Sequence, residues 1–253
     1  LELIRWEKLV PGLIQAMQYN LNRQQNRLSL FECGLKFLKQ DSEIKQEMMV
    51  AGVLTGSRNP AHWDMETESV DFFDIKGHVE SLLDLTGLAA EFRFQLEPHP
   101  VLHPGQCAAI YRHDRQVGWV GAVHPSLEQA LGLSQRAYVF EIEAAALTEA
   151  RVPAFKPVSR YPSIRRDIAL VVDKAVSAAE VLECIRLSGS DYLTNIELFD
   201  VYVGEGIDSG RKSLALGLTL QDLSRTLKDN EIEHELEQIL SLLNKKIGAT
   251  LRE

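Results

Sequence analysis

Tyr202 and the segment Arg211-Lys212-Ser213 are the residues of this sequence best suited to chemistry. If the strands that hold them form a hairpin, the Tyr202 ring lies beside two cations and a small hydroxyl group. An aromatic ring next to cations can stack an unpaired base and hold its phosphate. The pattern therefore predicts a surface for single-stranded nucleic acid. The residues alone are equally consistent with a tyrosine that covers the rim of the hairpin.

Arg160, Arg165 and Arg166 form a second basic group, which we place at the opposite end of the same predicted sheet. They are candidates for phosphate contacts. Solvated arginines that pair with Asp167 or Asp222 are the favoured alternative, because such surface pairs are common and weak. We keep Arg165 and Arg166 as candidate RNA-binding residues.

Three other patterns are weighed and set aside as reactive sites. His99 and His103 have a spacing that suits a metal only on a helix, and the prolines beside them oppose a helix. Cys33 lies in an apolar strand pattern, which predicts a buried thiol. The segment 56–63 lacks the lysine and the glycine spacing of a phosphate loop, so we expect a surface loop with a packed Trp63. No catalytic residue and no metal ligand is predicted.

Bulk properties limit the possible partners. The 253 residues are enough for two medium domains with separate cores. The net charge of −9 opposes a broad basic footprint, so any RNA contact must be local. The apolar runs are too short to span a bilayer, and three scattered cysteines fit a reducing cytoplasm. Because the chain opens with Leu1 and no signal-peptide layout, we expect a fragment of a longer protein.

The C-terminal region, 163–253, has the strand and helix order βαββαβ of a ferredoxin-like fold. Its predicted strands are 167–173, 195–203, 213–220 and 249–252. The first predicted helix follows a capping box at Ser177, and the second carries an apolar stripe from Ile232 to Ile247.

Small residues, including Ala169 and Ser213, occupy the face opposite the leucines of these strands. Such a face leaves room for a flat ligand, and a domain contact or plain solvent exposure is the alternative. Strand 195–203 admits either orientation. We assign Phe199, Val201 and Val203 to the helix side, which places Asp200 and Tyr202 on the bare face.

The N-terminal region, 1–151, is predicted as a mixed α+β domain with a largely antiparallel sheet. A Pro-rich linker, 152–162, separates it from the C-terminal domain. Its predicted elements are a helix at 9–21, strands at 28–38 and 48–55, a helix from Asp71 to about Gly87, a hairpin of 107–111 with 117–123, and a strand at 138–142.

Several segments resemble a known family. Asn195–Tyr202, Lys212–Leu216 and Gln221–Ile232 closely resemble the anticodon-binding domain that ends the bacterial phenylalanyl-tRNA synthetase β subunit. Segments of the N-terminal region resemble the catalytic-like domain of the same subunit; they are Pro11–Leu21, Leu30–Gly34, His103–Cys107 and Gly118–Pro125. The run from Leu3 to Leu9 departs from the family pattern.

The resemblance implies a class II synthetase-like antiparallel sheet domain that is not catalytic. The sequence agrees, since it has no motif-two arginine at 30–37 and no glycine-rich strand ending in arginine. The implied enzyme is an (αβ)₂ heterotetramer in which the α subunit, with ATP and Mg, joins phenylalanine to its tRNA. The C-terminal domain would grip the anticodon stem-loop, and the matching positions are Ala169, Tyr202 and Ser213.

Two other functions stay open on the sequence. A ferredoxin-like domain can bind a small metabolite as a regulator, which requires a cleft. The N-terminal region would be an enzyme only with a convergent set of acids, bases or glycine-rich loops, and the sequence offers none.

Overall fold

A computed structural model describes residues 9–40, 43–155 and 158–252 of the chain. The irregular start expected before Leu9 lies outside these residues. The chain divides into two compact units, Leu1–Ala154 and Phe155–Glu253, and the division falls inside the Pro-rich segment 152–162. Each unit combines helices with one antiparallel sheet, which confirms the predicted α+β class.

The first unit is built on a six-stranded antiparallel sheet of order β1-β2-β6-β5-β4-β3. Its strands are β1 (Leu28–Gln40), β2 (Glu43–Thr55), β3 (Phe92–Gln95), β4 (Leu102–Arg112), β5 (Arg115–Val123) and β6 (Ala137–Glu143). Its helices are α1 (Leu9–Leu21), α2 (Phe72–Asp84), α3 (Pro125–Ala130) and α4 (Ala144–Thr148), with a 3₁₀ turn at Ala89–Glu91. The predicted helix at 9–21 and the hairpin of β4 with β5 are confirmed.

The two long helices of this unit cover opposite faces of the sheet. Met17 of α1 packs with Val53 of β2, whereas Val79 of α2 packs with Leu54, the next residue of the same strand. Successive strand residues point to opposite faces, so the sheet is buried on both sides along its central strands. This explains why successive residues of β5 and β6 are buried with no alternation.

Helix α2 begins at the residue that the sequence predicts. The Asp71 side chain accepts hydrogen bonds from the backbone N–H groups of Phe73 and Asp74, and the Asp74 carboxylate accepts from the Asp71 N–H. This reciprocal pair satisfies donors that a helix start otherwise leaves unpaired.

The prediction of a buried Cys33 is wrong, because Cys33 is exposed. Strand β1 is an edge of the sheet and has β2 as its only neighbour. Cys33 lies opposite Val50 on the α2 side, but α2 packs mainly on β5 and β6. Phe31, on the same face of β1, is 76% exposed. An apolar strand pattern does not tell an edge from a centre, and this is why the expectation failed.

The second unit has the element order βαββαβ, which confirms the predicted ferredoxin-like fold. The sheet order is β10-β7-β9-β8, all antiparallel. The elements are β7 (Ile164–Asp173), α5 (Ala178–Arg186), β8 (Leu193–Tyr202), β9 (Arg211–Leu220), α6 (Asp229–Ile247) and β10 (Thr250–Leu251).

Both helices of the second unit cover one face of its sheet. Leu170 of β7 and Leu216 of β9 are buried against Val181 of α5 and Leu243 of α6. The capping box predicted at Ser177 is present at the start of α5. Gly248 ends α6 in the left-handed conformation, with φ of 63°, which favours glycine at this position. Among the described residues, no helix covers the other face of the sheet.

Candidate nucleic-acid interface

The uncovered side of the second sheet, here called the open face, is set by the strand register. Tyr202 of β8 lies directly opposite Ser213 of β9, and Ala169 of β7 lies opposite Ala215 of β9. Directly paired residues of antiparallel strands share a face. Ala169, Tyr202 and Ser213, the three positions matched to the family, therefore meet on one surface across three strands.

Tyr202 lies on this face at the end of β8. Its hydroxyl group donates a hydrogen bond to the backbone oxygen of Glu205 at 3.1 Å. Gly204 lies against the hydroxyl end of the ring, since a Cβ atom there would sit 2.7 Å from the Tyr202 Oη atom. The turn after β8 therefore fixes the direction of the ring, and the side chain remains only partly buried.

Arg252 is a member of this site that the sequence analysis missed. Its backbone N–H donates to the Ala169 oxygen at 2.8 Å, and its guanidinium carbon lies 4.9 Å from the centre of the Tyr202 ring. A cation over an aromatic ring is a favourable pair, and it adds a phosphate or base partner beside the stacking surface. The sequence predicted an edge strand at 249–252, but it did not indicate how far the arginine reaches.

Ser213 and Ala169 form the floor of the site. Ser213 is buried between Val171 on one neighbouring strand and Tyr202 on the other. Side chains this small keep the floor low, so a flat base can approach the Tyr202 ring from the side. These small residues are compatible with stacking of a base on the open face.

The predicted orientation of strand β8 is confirmed for Asp200 and Tyr202 and is wrong for Phe199. A β-bulge between Leu198 and Asp200 shifts the register, so that Phe199 adds a residue to the strand. The Phe199 ring lies 5.5 Å from the Arg165 guanidinium carbon and is 50% exposed. The bulge turns two consecutive residues to the open face, which strict alternation does not allow.

The expectation that the Tyr202 ring lies beside Lys212 is also wrong. Lys212 pairs with Val172, which is buried on the helix side, and its ammonium group donates to the Lys174 oxygen at 3.2 Å. The pairing of β9 is regular at this point, so the consecutive residues Lys212 and Ser213 point to opposite faces of the sheet.

Arg211 links strand β7 to the end of helix α6. Its guanidinium donates to the backbone oxygens of Val171 at 3.0 Å and Gly248 at 3.2 Å. The cation next to the Tyr202 ring is thus Arg252, and neither Arg211 nor Lys212 takes that place.

Arg165 and Arg166 lie on opposite sides of β7. Arg165 is on the open face, where it forms salt bridges with Asp167 at 2.8 Å and Glu197 at 2.7 Å. The hydrogen bond to Asp167 is the main cause that raises the pKa of Arg165. Arg166 points to the helix side and approaches Asp229 at 3.4 Å. The pairing of Arg165 with Asp167 is the alternative that the sequence favoured over a phosphate contact.

The open face carries both signs of charge. Asp167, Glu197 and Asp200 supply carboxylates, and Arg165 and Arg252 supply guanidinium groups. Phosphate attraction is weak on such a surface. Stacking and hydrogen bonds to base edges, including bonds that a carboxylate accepts from a base N–H group, suit it better.

The histidines at 99 and 103 have other roles. The His99 ring stacks on the indole of Trp119 with centroids 4.7 Å apart, and His103 Nδ1 accepts the Gly105 N–H at 3.0 Å. Over the described ranges, no cluster of three His, Cys, Asp or Glu residues could hold a metal ion. In the same part of the chain, no helix is long and apolar enough to cross a membrane.

A ferredoxin-like unit with an aromatic ring on a bare sheet face is typical of sheet-platform RNA-binding domains. The comparisons with protein families agree. Residues 159–252 match the model of the ferredoxin-fold anticodon binding domain. Residues 4–144 match the model of the phenylalanyl tRNA synthetase beta chain CLM domain. The chain belongs to the phenylalanine–tRNA ligase beta subunit family, as the sequence resemblance predicted.

Relatives support this assignment along most of the chain. Phenylalanine–tRNA ligase beta subunits of Pseudomonas fluorescens and Shewanella oneidensis are 49% and 48% identical over 96% and 97% of the chain. The chain spans 31% of the length of either relative. A pyrrolysyl tRNA synthetase structure from Desulfitobacterium hafniense is 13% identical, with a TM-score of 0.40 over 56% of this chain and 46% of that chain. The match to the anticodon binding domain model gives no support to a small-metabolite regulator.

Proposed function

We propose that this chain is the part of a phenylalanine–tRNA ligase β subunit that binds the tRNA anticodon and anchors the catalytic partner. In this proposal the open face of the second unit holds the anticodon stem-loop of phenylalanine tRNA. The first unit is a class II synthetase-like scaffold for the α subunit. The α subunit, with ATP and Mg, attaches phenylalanine to the tRNA in an (αβ)₂ assembly in the cytoplasm.

The observation that carries the RNA-binding part is the meeting of Tyr202 and Arg252 over Ser213 and Ala169. An unpaired base can stack on the ring while its neighbours reach the guanidinium group. Arg165 is already paired twice on its own face, so it is a weaker candidate for a phosphate contact. We retain Arg211, Lys212, Arg165 and Arg166 only as peripheral contacts.

The scaffold part rests on family membership and on the sequence of the first unit. Residues 4–144 match a β-chain model, yet the sequence lacks the arginine and the glycine-rich strand that a class II active site uses for ATP. A synthetase-like unit without that machinery is suited to hold a subunit that has it.

An RNA titration tests the first part. We expect the chain to bind the anticodon stem-loop of phenylalanine tRNA more tightly than a stem-loop of the same length with a different anticodon. Equal affinity for the two would refute anticodon recognition. Co-purification of the full-length β subunit with the α subunit tests the scaffold part, and failure of the two to associate would refute it.

A further inference from the structure

The loop between β2 and α2 carries at its tip a tryptophan whose side chain does not pack in the core of the unit. Trp63 is 90% exposed, which corrects the expectation that it packs on the domain, and Met65 beside it is 48% exposed. The His62 ring stacks on Trp63 with centroids 5.7 Å apart. An indole offers roughly 150–250 Å² of surface to a partner, far more than most side chains. We call residues 57–69 the Trp63 loop.

The Trp63 loop is fixed at its base. Backbone bridges join Ser57 to Ser69 across the base and His62 to Met65 near the tip. The backbone N–H of Arg58 donates to the Glu68 oxygen at 2.8 Å.

Arg58 also ties the loop to helix α2. Its guanidinium donates to the Glu68 carboxylate at 2.6 Å and to the Asp74 carboxylate in the first turn of α2 at 2.8 Å. It lies 3.5 Å from Asp71, the residue that caps α2. A loop held in this way loses little conformational entropy when it binds, so more of the contact energy appears as affinity.

The charge of the loop indicates the chemistry of its partner. Asp64 and Glu66 flank the tip, whereas Glu68 at the base pairs with Arg58, which is the only Lys or Arg of residues 57–69. This acidic rim repels a phosphate backbone. It is complementary to a protein surface whose apolar pocket is edged by Lys or Arg, and tryptophan is the residue type most enriched at the energetic centres of such contacts.

We propose that the Trp63 loop is a docking element of the first unit and that Trp63 fills a basic-rimmed apolar pocket of the catalytic α subunit. This inference rests on the subunit partnership proposed above. It adds the place of contact and the residue that dominates the contact, neither of which the fold of the unit requires.

The test uses the full-length β subunit and the α subunit, with affinity measured between the purified chains. Trp63→Ala should weaken association by roughly 30-fold or more, as expected for a central interface residue. Leu85→Ala is the matched control, because Leu85 ends α2 and is 81% exposed. It should stay within about three-fold of the wild type. Glu66→Lys should slow association, and the effect should shrink as salt rises.

The outcomes separate this inference from the proposed function. If the wild-type subunits associate and Trp63→Ala binds as they do, the docking element is refuted and the partnership stands. If the wild-type subunits do not associate, both proposals fall. A Trp63→Ala protein that keeps the α subunit but loses tRNA would mean that the loop contacts RNA. Equal losses for Trp63→Ala and Leu85→Ala would show a nonspecific effect of lost apolar surface.

Discussion

Removal of the Tyr202 ring is the sharpest test of the open face. Stacking of one base on an aromatic side chain contributes ~1–3 kcal/mol. The Arg252 guanidinium, 4.9 Å from the ring centre, adds about 0.5–1 kcal/mol at an exposed position. Tyr202→Ala removes the ring and leaves Arg252 without its support. We therefore expect binding of the anticodon stem-loop to weaken by roughly ten-fold or more.

Fluorescence anisotropy with a labelled anticodon stem-loop measures this effect at low and high salt. Tyr202→Phe is the matched control, since it keeps the ring and loses only the hydrogen bond to the Glu205 oxygen. It should bind nearly as well as the wild type. Lys212→Ala should cost less than Tyr202→Ala, because Lys212 lies on the helix side. As a peripheral phosphate contact, Lys212 should mainly affect the salt dependence of binding.

The melting temperature and far-UV circular dichroism of each variant complete the test. Tyr202 is only partly buried, so Tyr202→Ala should melt near the wild type. An unchanged affinity in a folded Tyr202→Ala protein would show that the anticodon binds elsewhere. Loss of affinity together with unfolding would mean that Tyr202 belongs to the core and that its placement on the open face is wrong.

Three further predictions concern activity and stability. The chain without the α subunit should catalyse no phenylalanine-dependent pyrophosphate exchange, and any such activity would refute the scaffold interpretation. Gly77→Ala in α2 should raise the free energy of unfolding by about 0.5–1 kcal/mol, because the added Cβ meets open space. Gly52→Ala should lower the free energy of unfolding, because its Cβ would lie 2.3 Å from the Phe140 ring. Chemical denaturation of the two variants measures both effects. Hydrogen bonds from the Ser177 N–H and hydroxyl groups lower the pKa of Glu180 in the folded protein. The ionised Glu180 therefore contributes fully to the free energy of unfolding above its unfolded-state pKa, and this contribution is lost as pH falls through the folded-state pKa. Glu180→Gln should therefore lower the melting temperature at neutral pH and reduce the loss of stability on acidification below about pH 4; an unchanged profile would contradict this.

Periodicity and caps predicted the fold well, because local physics decides those features. Asp71 and Ser177 were identified as helix starts from their side chains alone, and both form the reciprocal capping bonds. The alternation of leucines in β9 correctly gave the buried face of the second sheet. Such signals survive in a single sequence, since they depend on neighbours within four residues.

The incorrect predictions share another cause. They concern contacts between residues far apart in the chain, and such contacts leave no signal in the neighbouring sequence. The bulge at Phe199 reverses alternation without any glycine or proline to announce it. Arg252 reaches Tyr202 from the opposite edge of the sheet, 50 positions later in the chain. The exposure of Trp63 depends on how the whole unit packs, which the sequence around it does not reveal.

The exposed thiol of Cys33 on strand β1 provides a single site for chemical labelling of the chain. Of the three thiols, Cys107 and Cys184 are buried, and burial raises the pKa of the Cys184 thiol, so both should react slowly with alkylating reagents. A maleimide should therefore attach once, at Cys33, and report on whatever covers that edge strand. The same accessibility allows two chains to become linked through Cys33 under oxidising storage, and preparations kept without a reductant should accumulate covalent dimers.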